Sequence, residues 1–356
     1  MNARDRSHPA PPVRWLIFFM LWGLVQTASG LDAFEVRKER VDEAVDRGLR
    51  FLASHQAANG AFPGLYGRST AVVSLGGMAF LAKGYMPGEA PYGDVINRCI
   101  DYVLGANHAN GLLDRGDAAH GIMYCHNIST LFLSEVSGMV DPVRQEKIDL
   151  ALPRALALIL NAQRVPKAPQ HAGGWRYQPT SRDSDMSCSG WALMALRSAR
   201  LNGGNVPDDA IARAVHYILG RHNGHGGFGY QDTRTVRPTL SGCALLCLEL
   251  TGHHGQDVTL KAGHYLVNSM TALRREPQVF YGMYYVSQGL FQLGGTHWQK
   301  FCGWMYDTWI PLQNDSGAWS APKNGEGYAT AMMVLAFTVP YRQLPIYQRD
   351  ETVDEQ

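Results

Sequence analysis

The chain has 356 residues, 46% of them apolar, which is ample for one large buried core or two ordinary ones. Lys and Arg number 32 against 31 Asp and Glu, for a net charge of +1. No basic stripe or finger motif breaks that balance, which argues against an electrostatic nucleic-acid binder. Only 18% of residues are charged while glycine reaches 38, a profile of a compact globule with many turns.

The chain begins with a polar, net positive stretch, then an apolar run from Trp15 to Val25 and the small-residue sequence QTASG. The run is too short to span a bilayer comfortably. The pattern predicts a secretory leader over 1–30, cleaved near Gly30, and hence an exported protein; an uncleaved anchor is the alternative. Six cysteines follow, with no CxxC pair, and several stand in apolar helical runs such as CALLCLEL. Buried free thiols fit that placement better than a disulfide framework.

From residue 31 onward the elements alternate between two kinds of helix. The first predicted helix, VDEAVDRGLRFLASHQ, carries Val41, Ala44, Val45, Leu49 and Leu52 at helical spacing. Similar amphipathic segments follow: YGDVINRCIDYVLGA, QEKIDLALPRALALILNAQ, PDDAIARAVHYILGRH, TLKAGHYLVNSMTAL and HWQKFCGWMYDTWIPLQ. Between them recurs a Gly-aromatic turn, a short polar stretch and a small-residue apolar helix. The clearest copies start at Gly173 (GGWRYQPTSRDSDMSCSGWALMAL), Gly226 (GGFGYQDTRTVRPTLSGCALLCLEL) and Ser316 (SGAWSAPKNGEGYATAMMVLAF). Weaker copies begin at Asn59 and Asn110, and a sixth at Tyr281, YGMYYVSQGLFQLGG, has lost its turn. Almost no alternating strand pattern is present. Six helical hairpins are too many for a simple bundle with short loops and the right number to close a ring. The small-rich helices suit the crowded inside and the amphipathic ones the outside.

This turn-plus-helix repeat resembles the QW-type repeats of the squalene-hopene cyclase and protein prenyltransferase β-subunit superfamily. The resemblance runs over about residues 31–345. It is strongest to exported bacterial proteins with prenyltransferase and squalene-oxidase repeats, whose tails look like YATAMMVLAFTVPYRQLPIYQRDE. It implies an all-α fold, a single (α/α)6 toroid, followed by a polar tail over 346–356. Fold alone does not give function.

The stretch DSDMS, residues 183–187, carries the candidate chemistry. Class II cyclases of the superfamily protonate an alkene with the middle Asp of an Asp-x-Asp-Asp-Thr motif. On that pattern Asp185 takes the acid position and Asp183 is its partner, but Met186 replaces the neighbouring Asp and Ser187 stands for Thr. Alkene protonation needs a strong acid in a dry site, and one carboxylate of the network that tunes it is missing. An Asp at this place is equally an ordinary helix N-cap. The equivalent turns read Arg237-Pro238-Thr239 and Gly325-Glu326-Gly327, so a generic cap does not require Asp twice. The prenyltransferase zinc site finds only Cys188 here; the His position reads Met186, no Asp-x-Cys occurs, and no metal or other cofactor is expected.

Aromatic residues form the second constellation. Tyr124, Trp191, Tyr230, Tyr281, Tyr284, Tyr285 and Tyr328 stand at or near the turn ends of inner helices, where they could line a lipid pocket or stabilise a cation. The tyrosines of YGMYY are the strongest of these, whereas Trp175, Phe228 and Trp319 read as turn packing. His126 could relay a proton to Asp185 or be a satisfied core histidine; Glu135 lies more than two helical turns from it. The leading expectation is an exported toroid that binds an isoprenoid or lipid-like small molecule, with Asp185 as general acid. A non-catalytic binding or scaffold protein on the same ring is the alternative. A third is a glycan-active enzyme with Glu326 as second acid. The family's cyclases usually enclose substrate between two such domains, and this chain has length for one. A membrane surface is a further candidate partner, and oligomeric state is not readable.

Overall fold

The computed structural model describes residues 32–116, 121–321 and 324–348. The expected leader over 1–30 and most of the expected tail lie outside the described residues. Within them regular structure is helical, with only isolated β-bridges such as Trp175 with Asp185.

Twelve long helices follow in sequence among the described residues. They are α1 (Lys38–His55), α2 (Thr70–Lys83), α3 (Gly93–Leu104), α4 (Ile122–Val136), α5 (Pro142–Arg164) and α6 (Met186–Leu201). The second half holds α7 (Asp208–Leu219), α8 (Pro238–Glu249), α9 (Asp257–Asn268), α10 (Val279–Leu293), α11 (Gly295–Trp309) and α12 (Glu326–Phe337). The even-numbered helices touch each other in order, α2 to α4 to α6 to α8 to α10 to α12, and α12 returns to α2. Each odd-numbered helix packs outside its even-numbered partner. The expected six-hairpin toroid is therefore a closed ring within a ring.

Composition explains which helix goes inside. In α2, TAVVSLGGMAFLAK, all but the last residue are buried, and α12 is nearly as apolar all round. Such helices have no polar face to turn to water, so both sides must be covered. The outer α1, α3 and α7 each bury a single stripe and present charge on the other side. The ring start positions are capped as short polar residues allow: Ser69 accepts from the Ala71 N–H and Asp141 from Val143 and Arg144, with Pro142 at the first turn of α5.

The repeated glycine has a steric reason. Gly173 adopts φ +87°, and a Cβ there would lie 2.3 Å from the Arg213 carbonyl oxygen on the next outer helix. Gly317 (φ +91°) sits in the same way against Arg47 of α1, which closes the ring between last and first units. Only glycine permits both the left-handed backbone and the approach.

Three glutamines, not among the residues expected from the sequence, complete this joint. Gln163 Nε2 donates to the carbonyls of Gly173 and Ala210, both at 2.9 Å. Gln313 does the same to Gly317 and Ala44, both at 2.8 Å, and Gln56 to Gly60 and Val95. Each bonds the turn glycine and the next outer helix, so one side chain satisfies two otherwise orphaned buried carbonyls. Trp175 and Trp319 donate their indole N–H to Ile159 and Trp309 carbonyls, in line with a packing role.

The packed body includes Ile346 and Tyr347, which are buried although the tail was expected to begin at 346. They lie at the end of the ring formed by the C-termini of the inner helices. Ile346 N–H donates to Glu135 (3.2 Å), its carbonyl accepts from Arg197 (2.7 Å), and the Tyr347 carbonyl accepts from Gln292 (2.9 Å). All six cysteines are buried and unpaired.

Candidate functional site

The inner helices all begin at one end of the ring, and their first two turns surround a cavity of about 640 Å³. Ala71 and Leu75 of α2, Ile128 of α4, Leu240 of α8 and Met332 of α12 supply apolar walls. Of the aromatics singled out in the sequence, Tyr124, Trp191, Tyr230, Tyr281 and Tyr328 line it. Tyr66 and Tyr177, which drew no expectation although their turns belong to the repeat, line it as well. A position a few residues before a repeat's inner helix, or just after the Gly-Gly-Trp turn, was the available signal for both.

The rim is polar. Arg237 pairs with Glu276 at 3.2 Å, and Asn324 donates to Gln278 at 3.3 Å. The Tyr177 and Tyr230 hydroxyls meet at 2.5 Å. Polar groups are thus concentrated where the loops enter the inner helices, and the interior below them is apolar.

The floor is aromatic. Trp191 stacks on Tyr284 with centroids 5.3 Å apart and planes at 14°, and Tyr285 meets it edge-on at 5.1 Å. Tyr284 and Tyr285 therefore sit beneath Trp191 and do not reach the cavity wall, contrary to the expectation for both. They follow Tyr281 by one helical turn along α10, which places them one turn deeper. The Tyr284 hydroxyl bonds that of Tyr347, so the C-terminal segment backs the floor.

His126 is also corrected. It is fully buried; its Nδ1 accepts from the Leu113 N–H (3.2 Å) and its Nε2 bonds the Ala155 carbonyl (3.0 Å). Those two bonds fix the tautomer with the proton on Nε2. Burial holds its pKa down, to about 4, so it stays neutral. It faces α5, away from the cavity, and is a satisfied core histidine.

Asp185 is fully buried and is the N-cap of α6, its Oδ1 accepting the Cys188 N–H at 2.9 Å. It does not line the cavity, but it contacts Ser187 and Tyr230, which do. Its Oδ2 has no hydrogen-bond partner and lies 3.7 Å from Arg176 Nε. Burial pushes its pKa up to about 6, against the opposing pull of the Cys188 N–H and Arg176. Asp183 is half-exposed and accepts from Gln231 at 3.1 Å. Arg176 joins the two acids, 3.5 Å from Asp183 Oδ2, and rests over the rings of Tyr177 and Tyr230 at 4.5 and 5.5 Å. This arginine was not expected from the sequence, although it directly follows Trp175 in the turn.

Glu326 reaches Asn314 (3.4 Å) and does not line the cavity. Among the described residues the only carboxylate on the cavity wall is Glu276, already paired with Arg237. Among the described residues two free carboxylates facing each other, as glycoside hydrolysis requires, are not assembled there. Among the described residues no group of three His, Cys, Asp or Glu stands together as metal ligands.

No family model matches the chain, and no curated protein does. Solved structures do match. The type II terpene cyclase MstE from Scytonema, ligand-free, is 12% identical with a TM-score of 0.38, the match covering 86% of this chain and 99% of that one. A variant of MstE bound to its substrate, geranylgeranyl dihydroxybenzoate, is 12% identical with a TM-score of 0.48 over the same shares. A protein from Actinoplanes is 11% identical with a TM-score of 0.30, over 84% of this chain and 98% of that one. Likeness at this level carries no functional weight; the toroid rests on its own helix contacts.

Proposed function

We propose that this protein binds an isoprenoid or similarly apolar small molecule in the centre of its ring. One observation carries this reading: a cavity of about 640 Å³ with apolar and aromatic walls, a polar rim and an aromatic floor. That volume falls within the range of small-molecule sites, roughly 300–1,000 Å³. The rim pairs fit a molecule with one polar end left near the mouth. Calorimetric titration with a C20 prenyl alcohol tests the proposal. Saturable binding that is lost in Ala71→Trp, which fills the upper cavity, supports it; equal binding by both proteins overturns it.

A second reading, acid catalysis by Asp185, is favoured by its buried Oδ2, which accepts no hydrogen bond and faces only Arg176 at 3.7 Å among the charged groups described. Asp183 would then act as its partner through Arg176. The upward pKa shift works against alkene protonation, because it makes Asp185 a weaker acid. Turnover of a polyprene that disappears in Asp185→Asn while binding persists would establish this chemistry. Binding without turnover in the native protein removes the catalytic reading and leaves the binding one.

Export is a separate proposal, carried by the leader-like segment before Gly30. N-terminal sequencing of protein from the cell envelope checks it: a new terminus near residue 31 supports cleavage and export, and an intact Met1 in the cytoplasm overturns both.

A further inference from the structure

A second large space lies outside the ring axis. It is a cleft of about 910 Å³ between the turn after α1 and the turn after α3. Its character is opposite to that of the central cavity. Arg68, Arg115, His55 and His108 line it, and among the described residues Asp114 is the only carboxylate on its wall. Asp114 is 4% exposed and its Oδ2 accepts the Gly116 N–H at 3.0 Å, so it presents little negative charge to the space.

Both arginines are mounted on one residue, Tyr102. The Arg115 guanidinium lies 4.0 Å from the Tyr102 ring centroid, and its Nη2 donates to the Tyr102 carbonyl at 3.2 Å. The Tyr102 hydroxyl donates to the Arg68 carbonyl at 2.6 Å and ties the Arg68 segment to the same ring. Arg115 is thus held flat with its remaining donors free, and the backbone that carries Arg68 is fixed. Both side chains are exposed, and neither forms an ion pair among the described residues. Two guanidinium groups with no acidic partner among the described residues thus line one cleft. An oxyanion matches both their charge and the planar donor fork of arginine.

We propose that this cleft binds a phosphate group, with Arg68 and Arg115 as its ligands. The site is separate from the central cavity, although the two are neighbours: Arg68 faces the cleft, while Tyr66 and Ser69 beside it line the cavity. The proposal does not depend on what the central cavity holds.

The phosphate can belong to a soluble ester or to a lipid headgroup, and the test separates the two. Native protein, Arg68→Ala and Arg115→Lys are titrated with inorganic phosphate at low salt. The same proteins are then floated with vesicles of phosphatidylglycerol or phosphatidylcholine. Loss of a charge-assisted contact weakens binding by roughly 10-fold or more, so Arg68→Ala should raise Kd by that factor. Arg115→Lys keeps the charge but loses the fork and should also weaken binding. Phosphate binding sensitive to both substitutions supports a soluble ligand. Sensitivity seen only with phosphatidylglycerol vesicles supports a lipid headgroup. Absence of binding to both probes, or binding unchanged in both variants, overturns the site. Arg68 is exposed and makes no side-chain bond that folding needs, and a circular dichroism melt confirms that its variant is folded.

Discussion

Replacement of Asp185 by Asn isolates the balance between burial and Arg176 at the α6 N-terminus. Asp185 is fully buried, and its pKa rises from 3.8 to about 6. A native pKa above the unfolded one means that the folded state holds the proton more tightly, so stability is greatest below the unfolded pKa and falls as pH rises through this window. About two pKa units at 1.36 kcal/mol each give a loss of ~3 kcal/mol between pH 4 and 7. Asn keeps the cap, because its carbonyl can still accept the Cys188 N–H and Asn caps about as well as Asp. It carries no titrating proton. Chemical denaturation of both proteins from pH 3.5 to 7.5 should therefore show the difference between them shift by ~3 kcal/mol in favour of Asp185→Asn. Contributions from other groups cancel in that difference. A difference independent of pH refutes the reasoning. A shift towards the native protein as pH rises would mean that Arg176, 3.7 Å away, outweighs burial and makes Asp185 a stronger acid than an ordinary aspartate.

Three further outcomes are expected. Glu135, buried against Ser198 and the Ile346 N–H, has its pKa pushed up to about 7 by burial, so Glu135→Gln should remove a stability loss that the native protein shows between pH 4.5 and 7; denaturation at both ends of that window checks it. Gly190→Ala places a Cβ 2.2 Å from Cys243 Sγ and should destabilise by about 1–3 kcal/mol, with most of the loss recovered in the double variant with Cys243→Ala. Trp191→Ala removes the stack on Tyr284 and opens the cavity floor; thermal and chemical unfolding should show a loss of about 3–5 kcal/mol, and Trp191→Phe a smaller one.

Much of the architecture was legible in the sequence because its parts repeat. Gly173, Gly226 and Gly317 recur for one steric reason, so their spacing reports the hairpin unit and its number. Gln56, Gln163 and Gln313 recur at the ends of three outer helices, at 4, 10 and 4 residues before their glycines, and a glutamine there carries no hydrophobic signal. The site was harder to read. Tyr124 and His126 are two residues apart, about 200° around a helix, so one faces the cavity and the other faces α5. Tyr281 and Tyr285 share a face but differ by one turn in depth, and depth is set by where the cavity ends. That limit depends on Trp191, Tyr284 and Tyr347, which come from three separate segments. Arg176 escaped notice because its partners, Asp183 and Asp185, come together with it only when the turn folds back onto α6. Asp185 was readable as a cap or an acid, and the structure shows the cap.

The central claim is that the ring encloses an apolar ligand. Crystallography of protein grown with geranylgeraniol tests it most directly. The predicted result is continuous density for the chain between Leu75, Ile128, Leu240 and Met332, ending on Trp191, with the hydroxyl near Arg237 and Glu276. A water-filled cavity, with the alcohol absent or bound only on the outer surface, would contradict it.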